Sequence, residues 1–465
     1  MNTPSSASLT FHGAAGTVTG SRFLVATSRA RVLLDCGLFQ GGREMRERNW
    51  ADPPFAAKSI DAVVLTHAHL DHSGYLPALV RRGFRGPVHC TRATRDLLDV
   101  LLHDAARIEE EDAAYANRKG FSRHRPALPL FESADVDRVL RQVVVHSYHE
   151  DFAPASGLTA RLRRSGHILG SATVCLTTER GTRLLDTGDL GRWNQPILRD
   201  PEPPEQADVL LVESTYGDRV HPADATERLA LAVREAVRRG GPLLIPAFAV
   251  GRTQTLIWLL RELEASGRIP TLPVYIDSPM AHRVSEVTCH HHEDLDEQMR
   301  IAMDEKRCPL CCKVYHLVET KDESIALNDL RGTFILIAGS GMLTGGRMLH
   351  HLRQRLPDER TTVLITGFQP KGTPGRQLQE RAEFLRIHGM EVRARAHVEA
   401  IDGLSAHADQ EDMMRWLTLL PAPPRQVYVI HGESRQATGL ADAIRSRLGW
   451  PVEIARDGQH VALDA

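Results

Sequence analysis

The chain has 465 residues, with 57 Lys+Arg against 59 Asp+Glu, 42% hydrophobic and 25% charged residues. At about 100–200 residues per domain this length predicts two to four domains with a sizeable core, and the composition excludes disorder, collagen-like repeats and a disulfide-dense secreted scaffold. A formal net charge of −2 excludes a uniformly basic nucleic-acid coat, so any polyanion must be held by local features.

The seven cysteines (Cys36, Cys90, Cys175, Cys289, Cys308, Cys311, Cys312) are odd in number and scattered, which reads as free thiols in a reducing, cytoplasmic setting. The opening MNTPSSASLTFHG has neither a basic nor an apolar signal region, and no apolar run approaches the ~18–20 residues of a membrane span. A soluble chain without membrane contact is expected.

In chain order, residues 8–37 read as β-rich runs (SLTF, SRFLVAT, RVLLDCG) between Gly-rich turns. The apolar strand Ala62–Leu65 runs straight into a histidine-rich turn, a helix is predicted from Thr91 to Ala114, and strands resume at VVVHSY, LTARLRRSG, ATVCLTTER and TRLLDTG. From about Asp218 the texture changes to strand, loop, helix in alternation: a helix to Arg239, LLIPA, a helix over 252–266, VYIDS, FILIAGSG, a helix over 346–356, VLITG. That alternation predicts a parallel, doubly wound sheet. MEVRARAHVEAI then reads as one strand, followed by a helix over 410–420, VYVIHG, another helix and a final PVEIAR…HVAL. The plan is α/β, with one domain inserted into another.

The stretch Thr66-His-Ala-His-Leu-Asp-His72 carries the most chemistry. His67 and His69 are two apart in extended chain, so both imidazoles leave the same side, while Asp71 and His72 sit on the turn into a helix and face a second point. Four metal-competent side chains in six residues serve two adjacent divalent ions better than one, because a catalytic Zn²⁺ usually takes three protein ligands plus water. The bland alternative is a His-rich surface turn.

An H-x-H-x-D-H motif after an apolar strand resembles the metallo-β-lactamase fold. Other pieces follow in that family's order: Asp35 in LLDCG resembles the aspartate that supports the histidine loop, His167 in SGHILGSA the third ligand of the first metal, and Asp189 in DTGDLG the bridging carboxylate. Glu213 in VESTYG, His407 in GLSAHADQ and His431 in VYVIHGES resemble the added motifs of the β-CASP branch of nucleases, to which AFAVGRTQ, GSGMLTGGRMLHHL and GFQPKGTPGR are also similar.

This resemblance implies a metallo-β-lactamase αββα sandwich in two parts, residues 1–217 and 398–465, with an inserted doubly wound parallel-sheet β-CASP domain over 218–397. It also implies a first metal held by His67, His69 and His167, a second by Asp71, His72 and His431, and Asp189 with a hydroxide between them. Zn²⁺ suits the imidazole-rich shell, and Mn²⁺ is compatible with the same ligand types. His407 is implied as the acid that protonates the leaving alkoxide, with Glu213 orienting it. The bland reading of that pair is a buried ion pair between sheet ends.

The resemblance further implies a ribonuclease that hydrolyses single-stranded RNA to 5′-phosphate and 3′-hydroxyl ends. DNA-directed relatives tend to have valine where this chain has His431. The alternatives are a DNA-directed nuclease of the same fold, a non-nucleolytic metallohydrolase and an inactive scaffold; a scaffold would lack ligands, and none is missing. In the inserted domain, Arg252, Ser340, Gly341, Thr373 and Arg376, with Lys371, are the expected phosphate contacts, through Gly-rich turns opening helices. The two-domain plan implies a cleft that takes the strand. Because family members often pair, a homodimer is a further expectation. Cys308, Cys311 and Cys312 beside His290–His292 read as reduced thiols in place of a zinc ribbon, which needs a second cysteine pair. The acidic run Glu109–Asp112 reads as a solvated helix face.

Overall fold

In the computed structural model, residues 7–120, 122, 124–304, 309–367, 369 and 372–464 are described. The β-rich opening becomes the strands Ser8–Phe11, Phe23–Ala26 and Arg31–Leu34 of a seven-stranded sheet. That sheet continues through Ala62–Val64 and Val88–Thr91 to an edge at Val143–His146, and its other edge is His460–Ala462 beside Ser8–Phe11. A second seven-stranded sheet runs Val452–Ile454, Gln426–Ile430, Val209–Glu213, Arg183–Asp186, Ala172–Thr178, Leu158–Arg164, Asp151–Phe152.

Period-two alternation decides how the sheets pack. Leu9, Phe11, Phe23, Val25, Val32 and Val64 of the first sheet share one core with Leu162, Val174, Leu176, Leu211 and Ile430 of the second. The opposite face of the second sheet, with Leu185, Leu210, Val212 and Val429, packs on Trp416 and Leu417 of helix Gln410–Leu417 and Leu440 and Ile444 of helix Ser434–Leu448. The first sheet carries helix Arg92–Lys119 against its Val88–Thr91 and Val143–His146 strands. The result is an αββα sandwich.

The chain divides into two compact units: Met1–Gln195, Asp200–Val220 and His407–Ala465 in one, Pro196–Arg199 and His221–Ala406 in the other. The second unit is built on a six-stranded, all-parallel sheet in the order Tyr315–Leu317, Val274–Asp277, Ile335–Ala338, Leu243–Pro246, Thr362–Ile365, His397–Ala400. Its strands Ile335–Ala338, Leu243–Pro246 and Thr362–Ile365 are buried along their whole length, as the interior of a parallel sheet requires. Leu243, Ile245, Ile335 and Ile337 pack on Leu229, Val233, Leu256 and Leu260, whereas Leu244, Leu336 and Val363 pack on Met348, Leu352 and Leu378. Helices on both faces make the sheet doubly wound.

Five expectations need correction. MEVRARAHVEAI is two strands: Met390–Arg393 closes a hairpin on Phe384–Ile387 through Gly389 at φ +80°, and only His397–Ala400 joins the parallel sheet. The helix expected from Asp218 begins at Ala225, and the helix expected to end at Ala114 runs to Lys119, where Gly120 in the left-handed conformation stops it. The acidic run is only partly solvated, because Glu109 accepts the Leu130 N–H and Glu110 the Ser133 N–H. Cys311 is disulfide-bonded rather than reduced; Cys36, Cys90, Cys175, Cys289 and Cys312 are free, and Cys308 lies outside the described residues.

Candidate metal centre

The site is assembled at strand ends of the first unit. Strand Ala62–Val64 delivers Thr66 and His67 fully buried, and the chain turns at His69 into the short helix Leu70–Ser73 that carries Asp71 and His72. Gly37 makes that turn fit, since a Cβ there would lie 1.6 Å from the Asp71 carbonyl oxygen. Asp35, buried and at φ +57°, accepts from the Thr66 N–H at 2.8 Å, the Thr66 hydroxyl at 2.8 Å and His72 Nδ1 at 2.7 Å. It thus supports the histidine loop from beneath. The loop after strand Leu158–Arg164 adds His167, its N–H given to Ser171 Oγ at 3.0 Å. The loop after Arg183–Asp186 adds Asp189, and the end of Gln426–Ile430 adds His431.

These residues converge in two groups: His67, His69, His167 and Asp189, and Asp71, His72 and His431. In the first, His69 Nδ1 lies 3.1 Å from His67 Nε2 and 3.2 Å from His167 Nε2. In the second, His72 Nε2 and His431 Nε2 are 3.2 Å apart, with Asp71 Oδ2 at 3.6 Å from the latter. Asp189 stands between the groups: Oδ2 is 3.4 Å from both His67 and His167 Nε2, and Oδ1 is 3.3 Å from His72 Nε2.

The donor set fits cations on its chemistry. Burial, then the neighbouring His72, lowers His67 to about 3; burial lowers His69 to about 4 and, with His407 beside it, takes His167 well below its ordinary value. These three rings are held neutral, with lone pairs to give, whereas at His72 burial is overcome by Asp189 and Asp35, which raise it well above its ordinary value. Burial would protonate Asp71 and Asp189, but surrounding imidazoles outweigh it and hold both well below the usual carboxylate range. Asp189 Oδ1 is buried without a hydrogen-bond partner, a cost that a bound cation removes.

A third group brings Asp189, Glu213 and His407 together. His407 is held by pairing with Gly191, and its neighbour Ala408 donates to Leu190 O at 2.7 Å. Its Nδ1 donates to Glu213 Oε1 at 3.1 Å; Glu213 is fully buried and also accepts from the N–H groups of Leu190 and Thr215. Burial pulls the His407 pKa down, but Glu213 and Asp189 overcome that and raise it to about 9.

The candidate phosphate contacts all lie in the second unit. Arg252 opens helix Arg252–Ala265 after strand Leu243–Pro246, and Ser340 and Gly341 follow strand Ile335–Ala338. Thr373 caps helix Pro374–Gln379 by accepting the Arg376 N–H, and Arg376 pairs with Glu380 at 2.6 Å. Gln369 donates to Gly341 O, which joins two of these loops. Lys371 lies outside the described residues. Sequence reasoning passed over two hydroxyls that touch the ligand set, Thr66 Oγ1 at 3.0 Å from His67 Nδ1 and Thr215 Oγ1 at 3.1 Å from His431 Nδ1. Their adjacency to His67 and Glu213 was the available signal.

Comparison with known proteins finds the same family that the motifs resemble. Residues 15–192 match the metallo-beta-lactamase superfamily, 253–378 the Beta-Casp domain, and 390–455 the Zn-dependent metallo-hydrolase RNA specificity domain. Ribonuclease TTHA0252 of Thermus thermophilus is 39% identical over 451 residues, covering 97% of this chain and 98% of that one. The transcription termination factor FttA of Methanocaldococcus jannaschii is 32% identical, covering 94% of this chain and 68% of that one. A crystal structure of a protein of unknown function from Enterococcus faecalis V583 shares the fold, with a TM-score of 0.56 at 16% identity over 98% of this chain and 100% of that one. With the motifs, the two architectures and a relative matched along almost its whole length, the chain belongs to the β-CASP branch of the metallo-β-lactamase superfamily.

Proposed function

We propose that the protein is a metal-dependent ribonuclease that hydrolyses phosphodiester bonds of single-stranded RNA and leaves 5′-phosphate and 3′-hydroxyl ends. The observation that carries this is the convergence of six metal-competent side chains around a seventh, Asp189, with the Glu213–His407 pair on the same carboxylate. RNA is favoured over DNA by the match to an RNA specificity domain and by the ribonuclease relative. No helix among the described residues is long and apolar enough to cross a membrane, and we place the enzyme in the cytoplasm.

His67, His69 and His167 would hold one Zn²⁺, and Asp71, His72 and His431 a second, with Asp189 shared. Bound there, the ions would supply a nucleophilic hydroxide at neutral pH and stabilise charge on the phosphoryl oxygens. The protein's own residues do the rest. Asp35 and Thr66 keep the histidine loop rigid, so the ligands need no rearrangement. His407, charged at neutral pH, offers its Nε2 proton to the leaving 3′-oxygen while Nδ1 stays on Glu213.

Arg252, Ser340, Gly341, Thr373 and Arg376 would hold backbone phosphates. They follow three adjacent strands of the parallel sheet at its carboxyl edge, where ligands of such sheets bind. Digestion of 5′- and 3′-end-labelled single-stranded RNA and DNA with added Zn²⁺ or Mn²⁺ tests the assignment. The wild type is expected to cut RNA in preference to DNA and Asp71→Ala to cut neither. Equal cleavage by both proteins would refute it.

A further inference from the structure

We infer that Thr215 is a positioning residue for the second cation, its hydroxyl fixing the tautomer of His431 so that Nε2 is the nitrogen presented to the ion; this rests on the two-cation reading above. The chain around Thr215 is zipped to the chain around His431. Ser214 N–H donates to His431 O at 3.3 Å, and Ser214 Oγ donates to Ile430 O at 2.8 Å. Gly432 makes the approach close, since a Cβ there would sit 2.1 Å from Ser214 Oγ.

Thr215 Oγ1 then lies 3.1 Å from His431 Nδ1 and 3.4 Å from His431 O. A hydroxyl has one proton, and a carbonyl can only accept. Directed at the carbonyl, that proton leaves the Thr215 lone pairs facing Nδ1, which must carry a hydrogen to make the bond. Asp189 Oδ1, at 3.6 Å, is too far to take that hydrogen. With Nδ1 protonated, Nε2 carries its lone pair toward His72 Nε2 and Asp71 Oδ2. The other tautomer would put an N–H among the ligands.

His431 needs such a hold because its own backbone sits at φ +50°, a conformation few residues adopt unaided. The first group has the same device: Thr66 Oγ1 donates to Asp35 at 2.8 Å and so receives from His67 Nδ1 at 3.0 Å, leaving His67 Nε2 for the cation. Thr215 has a second link, its N–H given to Glu213 Oε2 at 3.0 Å while Glu213 Oε1 orients His407. One residue therefore ties the second cation's ligand to the proton donor.

The test measures bound zinc in the full-length protein, equilibrated at graded free Zn²⁺, for wild type, Thr215→Val and Thr215→Ser. Valine keeps the shape and removes the acceptor; serine keeps the acceptor. In Thr215→Val the free-zinc midpoint for the second equivalent is expected to weaken ~10–100-fold, as for other residues that orient a ligand, with the first unmoved and Thr215→Ser restoring the wild-type value. Should valine lower the thermal midpoint, Thr215→Ala takes its place in the comparison. Two equivalents in wild type with an unmoved second midpoint in the hydroxyl-free variant, or equal weakening of both, would overturn the inference alone. Fewer than two equivalents in wild type would overturn the two-cation reading and the inference with it.

Discussion

Each unit of the molecule buries an aspartate at or just past the end of a strand, and the two are satisfied in opposite ways. Asp277, in the parallel sheet, accepts from Ser324 Oγ at 2.5 Å, His351 Nε2 at 2.6 Å and Arg347 at 2.7 Å. Arg347 also donates to the Val318 and Glu319 carbonyls, so Asp277 is the hub of a closed network. Asp189 has imidazoles at 3.3–3.8 Å, and its Oδ1 has no hydrogen-bond partner. One carboxylate brings its own cation in the sequence; the other is shaped to receive cations from solution. Burial of an acid is thus no sign of function until its partners are counted.

That contrast can be broken most directly at its centre. Asp189→Ala is expected to lose bound metal and bring RNA cleavage down to background; elemental analysis showing two retained equivalents would break the comparison. His407→Ala should keep both ions and still lose ~10²–10⁴-fold in turnover, the usual worth of a positioned acid. On the other side, His351→Ala should cost about 1.5–3 kcal/mol in denaturant unfolding, because it strips one hydrogen bond from a buried charge that keeps Arg347 and Ser324, while metal content stays at the wild-type level.

A finer probe is pH. The His407 pKa is raised above its ordinary 6.5 to about 9, so its acid form persists through neutral pH and is lost as pH rises through the raised value. Glu213→Gln removes the nearest raising charge, so the alkaline limb of the rate profile should move to lower pH. An unmoved limb would separate that limb from His407. The smallest effect is expected from Arg376→Ala in the second unit, a rise of about 2–5-fold in KM with kcat unchanged, since an exposed ion contact is worth less than ~1 kcal/mol.

The candidate metal centre was legible because four of its seven candidate ligands sit in one motif after a strand, and the resemblance of SGHILGSA, DTGDLG and VYVIHGES to a known family supplied His167, Asp189 and His431. Asp35 could be placed for the same reason. What could not be read was pairing that depends on folding. Thr215 looks like any threonine until His431, 216 residues away, is brought against it. The Asp277 network joins residues up to 74 positions apart, and nothing local marks His351 as more than a helix residue. The hairpin at Gly389 was missed because its two strands continue the apolar alternation of the strand that follows. The disulfide at Cys311 contradicts a reading made from the odd number and scatter of the cysteines and the lack of a second cysteine pair.

The order in which the chain supplies the centre has a consequence for the cell. His407 and His431 belong to the last part of the first unit, to which the chain returns only after residues 221–406, and strand His460–Ala462 pairs with Ser8–Phe11. A polypeptide cut short before residue 407 would therefore carry His67, His69, His167 and Asp189 but neither His407 nor the last residue of the second group. Assembly of the centre thus doubles as a check that the inserted unit has been traversed, because chains truncated within it lack both histidines.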